Sequence, residues 1–184
     1  MNGGSLSNPE PPLRDALQLE GYAPEIGTDL WKLEDCRART HRTLSTVTEV
    51  MLDHEPPLGG NSISTLLYHI AAIEADWLFN EILEREIAPD VMQLFPVDVR
   101  DTQGRLSRVH GLSLASHRSR LRAVRSVLLT SLREMPADEY RRVRRLPEYR
   151  VTPAWVLHHL AQHEAEHRGQ IADMRRRFEG FASA

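Results

Sequence analysis

The chain has 184 residues and a mass of 21.0 kDa, about one domain's worth and enough to bury a core without disulfides. Hydrophobic residues make up 41% and charged residues 27%, and mean hydropathy is −0.43, a globular rather than a disordered composition. The formal net charge of −3 argues against a general nucleic-acid binder, and no apolar run is long enough to span a bilayer.

A single cysteine, Cys36, excludes an intramolecular disulfide and suits a reducing compartment. The first residues lack the basic start and apolar stretch of a secretory leader, so a cytoplasmic location is expected. Lys32 is the one lysine among 23 basic residues. Histidines number nine, and four of them fall within residues 158–167.

Residues 1–28 carry Gly3, Gly4, Pro9, Pro11, Pro12, Gly21, Pro24 and Gly27 and read as an extension or wrapping arm, leaving 29–184 as the folded domain. Helix one is expected over 29–53, where Leu30, Leu33, Thr40, Leu44, Val47 and Met51 recur at three- and four-residue steps. Pro56, Pro57, Gly59 and Gly60 end it. Helix two is expected over 62–86, capped by Asn61 or Ser62, with Leu66, His69, Ile70, Ile73, Trp77, Asn80 and Leu83 on one broad face.

Residues 87–110 form a long connection, read either as a functional loop or as a plain crossover. Helix three is expected over 111–135, with His117 on its inward stripe. The basic joint RRVRRLPEYR follows. Its Arg141, Arg142, Arg144 and Arg145 are read as solvated charge diluted by nearby carboxylates, with a contact to an acidic partner or nucleic acid as the weaker alternative. Helix four is expected over 152–179, with Thr152 as N-cap, Pro153 in the first turn and Gly180 at its close. No alternating strand stands out. Four amphipathic helices predict an all-α four-helix bundle, and the long second connection allows a crossover topology.

His163 and His167 stand one turn apart on one helical face, so both can grip one metal ion or form a hydrogen-bonded buried pair. A third ligand from a facing helix would leave open positions for water or substrate. His69 is the candidate, provided helices two and four touch. His159 lies one turn before His163, but three successive rungs span too far for one ion, so the later two are favoured. Gln170 falls near the same azimuth and can orient a ligand. Asp76 and Asn80 read as cavity-lining groups or a solvated edge. The arginines of 100–122 read as an anion site at the mouth or a solvated face. HEAEH also fits the H-E-x-x-H zinc-protease pattern with Glu164 as base. The continuation fails, because Gln170 stands where glycine belongs and Asp173 where a third histidine belongs. Trp31, Trp77 and Trp155 are expected to anchor the core, Trp155 alternatively walling a pocket, and Cys36 to be a small core residue.

The segment HHLAQHEAEHRGQIADM resembles the last-helix signature of the DinB-like, or YfiT-like, metal-dependent hydrolase family: a histidine pair followed by His167-Arg168-Gly169-Gln170. SISTLLYHIAAIEADWL resembles the family's second helix, with a ligand histidine at His69. The match follows the order and lengths of all four helices, over about residues 29–179. It implies an up-down-down-up four-helix bundle, often a homodimer. It also implies a divalent metal, commonly zinc or nickel, on His69, His163 and His167. Family members include transferases and isomerases that use low-molecular-weight thiols such as bacillithiol, mycothiol or glutathione. The resemblance therefore points to a thiol-dependent S-transferase or a hydrolase acting on a small molecule. The alternative is a non-catalytic, stress-associated dimeric bundle with a structural or vestigial metal. Gly169 is expected to allow close helix packing.

Overall fold

The computed structural model describes residues 13–56 and 59–182, so the first twelve residues of the expected extension lie outside the described range. The elements are α1 (Pro24–Thr43), a 3-10 turn (Leu44–Thr46), α2 (Glu49–Leu52), α3 (Ile63–Trp77), a π-helical segment (Leu78–Ile82), α4 (Pro89–Met92), α5 (Leu114–Leu132), α6 (Ala137–Arg141), β1 (Arg144–Arg145), β2 (Arg150–Val151) and α7 (Pro153–Ala182). The four long helices fall where the periodicity predicts, with shifted ends. No helix among the described residues is long and apolar enough to cross a membrane.

Each shift has a local cause. α1 begins at Pro24 because proline suits the first helical turn, Glu25 complements the helix dipole there, and Ile26 is already fully buried. Gly27 supplies a close approach instead of a break: a Cβ there would lie 2.7 Å from the Leu19 carbonyl oxygen. α1 stops at Thr43, short of the expected residue 53. Thr43, Thr46, Val47 and Thr48 are β-branched, and the Thr43 and Ser45 hydroxyls donate to the carbonyls of Arg39 and Arg42. Ser62 caps α3 by accepting from the Thr65 amide at 3.1 Å, and Thr152 caps α7 by accepting from the Trp155 amide at 3.2 Å. α7 passes Gly180 and ends at Ala182. The joint after α6 forms a small antiparallel hairpin, β1–β2, that periodicity did not predict.

Residue pairs set the topology. α1 and α7 run parallel, since Cys36 meets Ala161, Arg37 meets Glu164 and Thr46 meets Arg175. α3 and α7 run antiparallel, since His69 meets His167 and Trp77 meets Trp155. α3 and α5 run parallel, with Tyr68 beside Arg120 and Glu74 beside Arg125. α5 and α1 run antiparallel, with Arg118 reaching Leu44 and Arg125 reaching Leu33. The order is up-down-down-up. Parallel α3 and α5 require the chain to travel back along the bundle, and residues 83–113 make that crossover. Tyr68 secures the return by donating to the Val97 carbonyl at 2.6 Å and accepting from its amide at 3.0 Å.

The core is apolar over most of its length, with Leu30, Leu66, Leu121, Leu128, Val156 and Ile171 almost fully buried. At its centre lies a charge network that joins the four long helices. Arg37 of α1 donates to Glu164 of α7 at 2.8 Å and to Glu74 of α3 at 2.7 Å. Arg125 of α5 binds both oxygens of Glu74, at 2.6 and 2.9 Å, and reaches Glu164 at 3.4 Å. All four side chains are buried. Arg37 also donates to the Leu121 carbonyl, and Arg125 to the Leu33 carbonyl and Glu34. Two guanidiniums offset two carboxylates, so the interior carries charge with little net charge.

The arginine cluster of the joint is paired as well. Arg141 binds Glu25, Arg142 binds Glu84 and Glu139, and Arg144 is buried, contrary to the solvated reading, donating to the Ile82 carbonyl at 2.9 Å. Trp155, read as a core anchor or as the wall of a pocket, is 49% exposed and takes the second role. Cys36 is buried as expected and donates to the Ala161 carbonyl. A Cβ on Gly169 would meet nothing within 4 Å, so that glycine serves no close packing.

Breaking this network should cost far more than breaking a surface pair. Glu74→Ala leaves two buried guanidiniums short of a partner and should lower unfolding free energy by about 3–5 kcal/mol. Lys32→Ala, which removes the exposed pair with Asp29, should change it little. Urea denaturation of both variants checks this, and equal small effects would refute it.

Candidate metal centre

α3 and α7 lie side by side, and this contact builds the site. His69 leaves the middle of α3, a helix buried over nearly its whole circumference. His163 and His167 leave α7 one turn apart. The three Nε2 atoms converge: His163 lies 3.1 Å from His69 and 3.0 Å from His167. One ligand atom from each ring lies within 4.8 Å of the others, and this is the one such group among the described residues. The rings meet edge to face, with centroids 4.4 to 5.1 Å apart.

Gln170 Oε1 lies 2.9 Å from His167 Nδ1, and an N–H donated to it there leaves Nε2 of the neutral ring as the lone pair facing the cluster. His163 Nε2 faces two nitrogens and carries one hydrogen at most, so it can satisfy one neighbour well. A single cation would take all three lone pairs. Nitrogens bound tetrahedrally to an ion at the usual zinc distance lie roughly 3.3 Å apart, close to the spacing here. The donor set therefore fits a divalent metal. His69 Nδ1 is buried with no hydrogen-bond partner among the described residues, so the ring is held by packing and by its Nε2 contact with His163.

The electrostatics favour neutral imidazoles, the form that binds metal. Burial pushes His69 from 6.5 down to about 4, with the charges of His167 and Arg100 adding to it. Burial, then His167, His69 and His159, pushes His163 down to about 3, against the opposing charge of Glu74.

The other candidates separate. His159 stays outside the trio. Its ring lies 4.4 Å from Trp77 and 5.1 Å from Trp155. His117 is buried, as expected, but belongs to another part of the core beside Arg120, and burial pushes it down to about 4. Asn80 donates to Asp76 at 2.7 Å, so these two bond each other. Glu164 gives its oxygens to Arg37 and Arg125, which removes the zinc-protease reading: no carboxylate base is available from H-E-x-x-H. The stacked rings around His159 were missed, although Trp155 and His159 share a helical face at a four-residue step.

The family profile of the DinB superfamily matches residues 32–171. The chain belongs to the DinB superfamily. Its fold is similar to that of YfiT from Bacillus subtilis, described as a probable metal-dependent hydrolase with an unusual four-helix bundle topology. The TM-score is 0.58 at 14% identity, over 92% of this chain and 94% of that one. No curated protein matches the sequence. The topology of this DinB chain departs from simple up-and-down order, because α1 and α7 run parallel, as do α3 and α5.

His69, His117 and His163 are harder to protonate in the folded chain than in the unfolded one. Between pH 6.5 and about 4 the unfolded chain binds more protons, so stability falls as pH falls through that window. Chelator-treated protein should show a declining urea midpoint from about pH 7 to about pH 5, with a shallower slope in His117→Leu. A flat profile would refute the neutral burial of these rings.

Proposed function

We propose that this protein is a metal-dependent enzyme of the DinB superfamily that acts on a small molecule, as a thiol-dependent S-transferase or a hydrolase. One observation carries the reading: three imidazole nitrogens from two helices converge on one point, with Gln170 hydrogen-bonded to one of the three rings. His69, His163 and His167 would hold a divalent ion; imidazole suits zinc, nickel, copper or iron, and the family resemblance favours zinc or nickel. Such an ion acts as a Lewis acid that lowers the pKa of a coordinated water or thiol. Three protein ligands leave positions for that group, which distinguishes a catalytic centre from a closed structural one.

The chain's own residues supply the rest. Burial of α3 and α7 keeps His69 and His163 neutral. Arg100, exposed on the crossover and held by its bond to the Gly104 carbonyl, offers positive charge to an anionic thiol at the mouth. Cys36 is not a nucleophile here. Burial and the nearby Glu164 charge push its thiol up, against the opposing effect of Arg168. The YfiT description as a probable metal-dependent hydrolase supports the hydrolytic branch. A homodimer in the cytoplasm completes the proposal.

Metal analysis by mass spectrometry on untagged protein should find one equivalent, lost in His69→Ala and His163→Ala. Gln170→Ala should retain metal with affinity weakened about 10- to 100-fold. Failure to take up zinc or nickel at neutral pH would overturn the proposal. A metal centre without exchangeable water would make it structural instead.

A further inference from the structure

Beyond His159, toward the start of α7, the surface changes character. Trp155 is 49% exposed, Tyr149 41% and Val143 45%, all three on one face of the hairpin region. With Trp77, Val151 and Arg150 they line a cavity of about 810 Å³. Trp77 lies 5.6 Å from Trp155 and 6.2 Å from Tyr149, centroid to centroid. Trp77, its ring stacked with that of Tyr149 and tilted against that of Trp155, lines this cavity together with both, and clustered exposed rings of this kind mark binding sites.

The ground behind these rings is acidic, and neither Glu81 nor Asp76 forms an ion pair among the described residues. Glu81 is 5% exposed. Its Oε1 accepts from the Tyr149 hydroxyl at 2.8 Å, and its Oε2 is buried without a partner among the described residues. Asp76 is half-buried one turn earlier and bonded to Asn80. Burial holds both carboxyls above the usual range, and the Asp76 charge adds to the effect on Glu81. Glu74 and Glu164, by contrast, each meet two guanidiniums. Arg150 stands at the rim, exposed, where water screens its charge. Glu148, also exposed, adds negative charge near Tyr149.

We infer that the Trp77–Tyr149–Trp155 cavity, backed by Glu81, binds a fully substituted ammonium group. Aromatic faces attract such a cation, and a buried carboxylate without a counter-ion strengthens the attraction. A quaternary nitrogen needs no hydrogen-bond acceptor, and the Tyr149 hydroxyl is already committed to Glu81. The cavity adjoins the three histidines through His159, whose ring stacks on Trp155 at 6° and lies 6.0 Å from that of His163. A substrate holding its ammonium end here can extend its other end to the metal centre, and that last clause alone rests on the proposed function.

The test uses full-length, untagged, chelator-treated protein, with choline and its uncharged carbon isostere dimethylbutanol as probes. Tryptophan fluorescence and calorimetry should show saturable choline binding, with the isostere at least tenfold weaker. Glu81→Gln and Trp155→Ala should each weaken choline at least tenfold, with unchanged circular dichroism and Tm, while His69→Ala leaves it unaffected. Equal affinity for the isostere, or no choline binding by folded protein, would overturn the inference. So would sedimentation showing a dimer that buries Trp155. Zinc uptake is measured separately, so loss of the metal reading and loss of the ammonium site give different results.

Discussion

Four charged side chains at the centre of the bundle constrain everything around them. Arg37, Glu74, Arg125 and Glu164 come from four different helices, and each needs partners on the others. A buried charge without its partner is costly, so slipping any helix by one turn would strand a guanidinium or a carboxylate. Apolar stripes tolerate such slips far better, since one leucine can replace another. The network therefore acts on register: it favours the one alignment in which α3 and α7 present their histidines at the same height. Glu74 lies five residues after His69 on α3, and Glu164 directly follows His163 on α7.

That adjacency resolves the double reading of the HEAEH segment. Successive helical residues point about 100° apart. His163 and His167 can therefore face α3 while Glu164 turns toward α1 and α5. The same five residues contribute ligands to one site and a carboxylate to another. What looks like a protease motif is two stripes of one helix, sorted by which neighbour each stripe meets.

The crossover of residues 83–113 links topology to function. It allows α3 and α5 to run parallel and is held by the two bonds between Tyr68 and Val97. The π-helical turn at Leu78–Ile82 and the hairpin joint lie at the opposite end of α3, where Glu81, Trp77 and Tyr149 meet. α3 thus carries different chemistry along its length: a histidine cluster at its middle and an acidic, aromatic corner at its close. π turns shift the facing of the residues beyond them, and this one accompanies the burial of Glu81 on a segment that ordinary 3.6-residue spacing would read differently.

The sequence by itself determined the four amphipathic helices, the caps at Ser62 and Thr152, the inward faces of His69, His163 and His167, and the burial of Cys36. Periodicity and local hydrogen bonding are short-range, and they are written in consecutive residues. It also held an unread signal: Arg37 lies on the stripe of Leu30, Leu33 and Thr40, Arg125 between Leu121 and Leu128, Glu74 between Ile70 and Leu78, and Glu164 after Leu160. A charge on an apolar stripe means burial only if an opposite charge waits on a facing stripe, and one helix cannot show what it faces. The tertiary structure alone decided that pairing. It also decided which histidines meet, that Glu164 serves arginines rather than a substrate, and that Trp155 walls an open cavity. Each of these depends on side chains brought together from distant parts of the chain, where the physics of burial and charge acts across space and not along the sequence.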